Sequence, residues 1–259
     1  MIKSFELVDF LEEQFPYSSL LEWDNAGYSH IGKEDIKKIL ISLDLTSSIL
    51  DYAIKNEFDF ILNYHTFFFD KISKTKTFKK YPYKRKIFNL IKKHNINVFS
   101  VHTNFDHFPN TSVKEMIKKL NYYDTGIQAI DNFNAIIHLN KAKNFFEIVA
   151  DYKNIFALKS LQSNLMKNKK IRHFTILPGS AGMENIINAI KIKKTDLYIT
   201  SDLKWSEQIT LNEKKINFLL VPHLVEQFIL EYFKKQIIQK FFDKIEVEIK
   251  FIDEIIHNV

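Results

Sequence analysis

Residues 39–65, ILISLDLTSSILDYAIKNEFDFILNYH, decide the fold. The apolar run at 39–43 suits a buried strand, 47–56 a short helix, and 58–62 a second strand. So short a connection predicts a parallel, right-handed β-α-β unit. The design recurs later in the chain: 174–177 is apolar, PGSAG (178–182) is a turn, 183–192 reads as a helix and 197–200 as a strand. Asp59 opens the second strand of the first unit, with His65 six residues on, as Asp196 precedes Asp202 in the second. The pattern predicts an α/β protein of two related lobes built from duplicated β-α-β units.

Working outward, residues 3–15 read as an amphipathic helix with Phe5, Val8, Leu11 and Phe15 on one face, stopped by Pro16. A turn-rich stretch, WDNAGYSHIG (23–32), follows. Strands are expected at 97–101, 133–139 and 217–221, a long helix from about His223, and a last strand at 245–252. Hydrophobic residues make up 46% and charged residues 26%, a balance that excludes a disordered chain. The 24 Phe and the abundant Lys, Asn and Ile indicate a biased codon usage, so a net charge of +6 says little about partners. The acidic N-terminal stretch lacks the apolar core of a secretory signal, and no run approaches the ~20 apolar residues of a membrane span. A cytoplasmic protein without membrane partners is expected.

With no cysteine, any metal must be held by His, Asp or Glu. Such residues follow four of the expected strands: Asn63-Tyr64-His65, His102 through Asp106 and His107, Ser201-Asp202, and Pro222-His223 with Glu226. Ligands of open α/β sheets bind beyond the carboxyl ends of the strands. Imidazole and carboxylate together suit a divalent cation, with zinc, iron, manganese and nickel equally served. His223 and Glu226, three residues apart at a helix start, can face one ion. Asp202 suits a structural acceptor as well as a ligand. Asp59 and Asp196 are read as ending turns before their strands. His30, His94, His138, His173 and His257 lack supporting neighbours and are read as surface or core histidines.

These segments resemble the GTP cyclohydrolase 1 type 2 homolog family, also called NIF-three-like. WDNAG (23–27), LDLT (43–46), NYHTFFF (63–69), HTNFD (102–106), PGSAG (178–182), DLYITSD (196–202) and VPHLVEQF (221–228) follow the family order over nearly the whole chain. The chain resembles the family's short form, with lobe 1 at about 1–125 and lobe 2 at about 126–259, the C-terminal part completing the metal site. The resemblance implies a toroidal homohexamer and two adjacent divalent metals per subunit. It implies ligation by a His-His pair, the HTN-x-D aspartate, and a His and a Glu near the C-terminus.

Two of those positions depart from the pattern. Tyr64 stands for the first His of the pair, and Pro222 for the C-terminal His, with His223 one residue out of register. The glycines usual after HTN-x-D are replaced over 107–110, and Trp205-Ser206 stands where a Tyr-His pair is common. The resemblance implies that the two missing histidines serve the same ion. The expectation is therefore one retained site, with His65, Asp106 and Glu226 as ligands, His223 as a compensating ligand, and His102 as general acid/base. The corresponding function is metal-dependent hydrolysis of a nucleotide or phosphorylated small molecule. Two other classes compete: a non-enzymatic ring binding a partner, and a relic kept for its assembly. Residues 71–93, with nine Lys, Arg85 and no acidic residue among aromatics, suit nucleic acid or a solvated basic face.

Overall fold

The computed structural model describes residues 1–69, 71–107 and 111–255. The chain forms two units, Met1–His107 together with Ile229–Asp253, and Phe108–Phe228 together with Glu254–Val259. Each is built around its own sheet.

In the first unit, strands Glu246–Ile249, Lys38–Ser42, Phe60–Asn63, Asn97–Ser100 and Gly27–His30 lie side by side in that order. The first four are mutually parallel and the last is antiparallel. Every residue of the 60–63 and 97–100 strands is buried, as parallel strands covered on both faces require. Helix Ser47–Lys55 links the 38–42 and 60–63 strands. Thr46 caps it by accepting the Ile49 N–H, and Ile49, Leu50 and Ala53 face the core. They pack with Phe58, Ile61, Phe67, Phe68 and the buried face of helix Pro82–His94.

Helix Ser4–Gln14 buries Leu7, Val8, Phe10 and Leu11, whereas Phe5 is 56% exposed. The apolar face is thus turned from the expected one, because Leu7 and Phe10 complete the stripe that Phe5 was assigned. The chain returns to this unit at Ile229. Helix Ile229–Phe241 buries Leu230, Phe233, Ile237 and Phe241, and Phe233 meets Phe15, Phe105 and Tyr64 edge-on or tilted. Among the described residues no helix is long and apolar enough to cross a membrane.

The second unit carries strands Thr125–Ala129, Ala135–Asn144, Lys170–Ile176, Leu197–Thr200, Phe218–Leu220 and Gln162–Ser163, in that order across its sheet. The 170–176, 197–200 and 218–220 strands are parallel, and their neighbours on either side are antiparallel. Helix Gly182–Ile192 connects the first two of the parallel set.

The two units share one device at the entry of their strands. Asp59 precedes the 60–63 strand, and its Oδ2 accepts the backbone N–H of Lys37 (2.9 Å) and Lys38 (3.3 Å). Asp196 precedes the 197–200 strand, and its Oδ2 accepts the N–H of Arg172 (2.9 Å) and His173 (3.1 Å). Each aspartate thus binds its strand to the parallel neighbour. On the other side the Asn97 side chain donates to the Asp59 carbonyl, and the Asn217 side chain to the Asp196 carbonyl. Both aspartates are structural acceptors, as expected. Asp59→Ala should lower stability by about 2 kcal/mol by stranding two backbone donors, with a smaller loss for the more exposed Asp196. Urea midpoints unchanged in both variants would contradict the shared role.

Candidate functional site

At the carboxyl ends of the first unit's parallel strands, the backbone turns outward and polar residues follow. Asp44 lies two residues past the 38–42 strand, Tyr64 and His65 directly past 60–63, and His102 two residues past 97–100. Adjacent parallel strands are about 4.8 Å apart, so side chains past neighbouring ends reach one another. His65 Nδ1 stands 2.9 Å from Asp44 Oδ1. His102 Nδ1 stands 3.1 Å from Asp24 Oδ2, which also accepts the Thr103 N–H (3.0 Å) and hydroxyl (2.5 Å). The imidazoles of His65 and His102 are 5.5 Å apart and perpendicular. Tyr64 is buried between them and Phe105, and its hydroxyl donates to Asp106 Oδ1 at 2.6 Å.

Asp24 is 3% exposed. Burial pushes its carboxyl up, but the hydrogen bonds and charge of His102 and the two donors of Thr103 outweigh it and hold the group at about 2. A charged Asp24 fixes the proton of His102 on Nδ1, so Nε2 carries the ring's lone pair. Trp23 and Phe69, each about half exposed, flank the same ring with centroids 5.7 and 6.2 Å away.

In the second unit the same logic appears past the 197–200 and 218–220 strands. His223 Nδ1 is 2.5 Å from Asp202 Oδ2, and His223 Nε2 is 3.0 Å from Glu226 Oε2. Asp44 and His65, and Asp202 and His223, are each 21 residues apart, with the aspartate past one strand and the histidine past its parallel neighbour. Glu226 is 4% exposed. Gly179, at φ +61°, lies over it: a Cβ there would stand 3.0 Å from Glu226 Oε1. The Gly179 carbonyl is held by the Ser201 N–H and the Thr200 hydroxyl, both at 3.0 Å.

The expected long helix from His223 is a 3₁₀ turn over His223–Phe228, with the α-helix starting at Ile229. The distinction matters chemically. In a 3₁₀ turn residues i and i+3 eclipse, whereas in an α-helix they diverge by about 60°. The tighter turn brings His223 onto Glu226 without any shift of the following helix. His223 and Glu226 belong to a His/Glu group that could hold a metal ion.

The structure gathers His65, Tyr64, His102 and Asp106 on the first unit's sheet edge, and His223 with Glu226 on the second's. Sequence reasoning missed the roles of Asp24 and Asp44, although WDNAG and LDLT carried them, and left Asp202 undecided. Trp205 opens helix Trp205–Glu213 and is 74% exposed. In the basic stretch 71–93, Phe88 belongs to the core and the half-buried Phe78 packs against it, and Lys74, Lys84, Arg85 and Lys92 lie over Phe and Tyr rings 4.8–5.8 Å away. Cation–π packing thus engages Phe78, Tyr81 and Phe88, whereas Tyr83 is 53% exposed. Expectations for residues 108–110 and His257 fall outside the described residues.

Residues 2–257 match the family model for Duf34/NIF3 (NGG1p interacting factor 3). A GTP cyclohydrolase 1 type 2 homolog of Mycoplasmopsis pulmonis is 27% identical over 258 residues, covering 96% of this chain and 98% of the relative. A protein of the same name from Methanocaldococcus jannaschii is 27% identical over 246 residues, covering 90% and 94%. Among solved structures, Staphylococcus aureus hypothetical protein SA1388 superposes with a TM-score of 0.82 at 20% identity, over 100% of this chain and 99% of that one. A Bacillus cereus protein related to NIF3 gives 0.83 at 15% identity, over 99% of each chain. These two likenesses place the fold.

Asp24 supplies a pH test. Its folded carboxyl titrates near 2 against an ordinary 3.8, so its stabilisation is complete above about pH 5 and is lost as pH falls toward 2. Asp24→Asn should cost on the order of 2 kcal/mol at neutral pH, with the difference from wild type shrinking below pH 4. A difference constant from neutral to acid pH would contradict the assignment.

Proposed function

The chain belongs to the Duf34/NIF3 family, and from that premise we propose that it is a single-ion, divalent-metal-dependent hydrolase of a nucleotide or other phosphorylated small molecule. The observation that carries the reading is the His223–Glu226 pair: a buried carboxylate beside an imidazole whose other nitrogen faces Asp202. A carboxylate behind a ligating histidine fixes its tautomer and raises its basicity. Gly179 keeps the space over Glu226 clear of a side chain. These residues fit a divalent ion, and the family resemblance adds His65 and Asp106 to the donor set. His65 carries the same kind of carboxylate partner, Asp44.

Tyr64 explains why one ion rather than two is proposed. Its hydroxyl donates to Asp106 Oδ1, so one carboxylate oxygen already accepts a hydrogen bond at a position where the resemblance implies a histidine ligand. Neutral phenol is no substitute for imidazole. The side chain of Pro222, at the other implied histidine position, offers no ligand atom.

When bound, such an ion supplies Lewis acidity toward a substrate oxygen and makes a water more acidic. The chain's own residues supply the rest. Asp24 holds His102 with Nε2 ready to take or give a proton, and Asp202 and Asp44 orient the ligating rings. The nucleotide class rests on the relatives' name, GTP cyclohydrolase 1 type 2 homolog. Assembly into a ring of six belongs to the same proposal and predicts a particle six times the 30.8 kDa of one chain by light scattering.

Elemental analysis of untagged protein purified without chelators should find about one ion per chain, lost in His65→Ala and in Glu226→Gln. With metal restored, His102→Gln should lower kcat for nucleotide hydrolysis by about 10²–10⁴ while leaving metal content unchanged. Two ions per chain would contradict the role given to Tyr64. Metal-free protein that takes up no added divalent ion would refute the enzyme reading.

A further inference from the structure

We infer that His138 and His173 form a separate site for a transition-metal ion, of the copper, nickel or zinc class, on the sheet of the second unit. The two residues stand directly opposite on antiparallel strands Ala135–Asn144 and Lys170–Ile176, beside a register shift between Ile171 and His173. Their rings are 4.8 Å apart at 70°, and their Nδ1 atoms are 2.9 Å apart. On the next strand, position 126 opposite His138 is a glycine, so the residue directly across adds no side chain against the ring.

The hydrogen bonds fix the protons. Gln128 Oε1 lies 3.1 Å from His138 Nε2 and accepts its N–H, which leaves the His138 Nδ1 lone pair facing His173. His173 then donates from Nδ1. The contact holds one proton between two nitrogens. If His173 moves that proton to its own Nε2, no net proton is released and two lone pairs face each other, so a turn of the rings is needed to aim both at an ion beside the line that joins the nitrogens.

The geometry suits an ion. Two nitrogens each about 2.05 Å from a metal and at right angles around it stand about 2.9 Å apart. Right-angled nitrogen pairs belong to the square-planar or tetragonal coordination of copper and nickel. Solvent can complete the shell, since both rings are partly exposed.

The charges nearby favour the same class. Burial, and then the Lys193 ammonium, push both imidazoles below the ordinary histidine range. Arg172 acts on His173 in the same direction, and Asp196 opposes. Both rings are therefore neutral at physiological pH, the form that binds metals. Lys193 also repels a cation, so an ion held by charge alone, such as magnesium or calcium, is rejected. One bound through strong imidazole bonds is accepted.

The test is a Cu²⁺ titration of the intact protein at neutral pH, followed by electron paramagnetic resonance. Wild type should show a species with two nitrogen ligands. His138→Gln and His173→Gln should each weaken that species about tenfold or more, and His65→Ala should leave it intact. Because the variants alter a sheet, a second measurement uses wild type alone: substoichiometric Cu²⁺ should broaden the His138 and His173 ring resonances. Copper uptake unchanged in both variants, or broadening confined to other histidines, would overturn the assignment.

Discussion

Glu226 is almost wholly buried, and a buried carboxylate must meet a proton, a donor or a cation. Much of the second unit's site follows from that constraint. His223 stands on Glu226 Oε2, and can do so because the chain tightens to a 3₁₀ turn at His223–Phe228. Asp202 holds the far side of the same ring. Gly179 adopts a left-handed conformation that few other residues tolerate, and a Cβ there would crowd Glu226 Oε1. Four residues from three loops are thus fixed by the needs of one charge.

The first unit pairs a histidine with an aspartate twice. His65 and His102 each turn Nδ1 toward an aspartate, and the more deeply buried of the two aspartates, Asp24, makes four hydrogen bonds. Pairing of this kind serves a metal ligand and a proton-transfer residue equally, because both need a known tautomer and a fixed ring. Tyr64 belongs to neither class. Its hydrogen bond to Asp106 keeps that carboxylate engaged where the family resemblance implies a second imidazole.

Local windows of sequence carried the parallel strands and their connecting helices. The strand at 197–200 was read with its observed limits, and 97–101 within one residue, because fully buried apolar runs between turn residues have few alternative structures. The polar ends of those strands were legible for the same reason. What a local window cannot hold is a partner far along the chain. Asp24 lies 78 residues from His102, and the 246–249 strand pairs with 38–42 across nearly the whole chain. The face of the first helix was misread because Phe5 fits the period as well as Leu7 does. The 3₁₀ turn at His223 was invisible to periodicity, since apolar spacing at three and four residues serves both kinds of helix. His138 and His173, set aside for want of neighbours in sequence, are neighbours in the sheet.

The most direct test of the account is a crystal grown with Mn²⁺ or Zn²⁺ and mapped by anomalous scattering at the metal edge. The account predicts one strong peak per chain, bonded by His223 Nε2 and Glu226, with the Tyr64–Asp106 hydrogen bond intact. Two adjacent peaks with Tyr64 displaced, or no peak at Glu226, would contradict it.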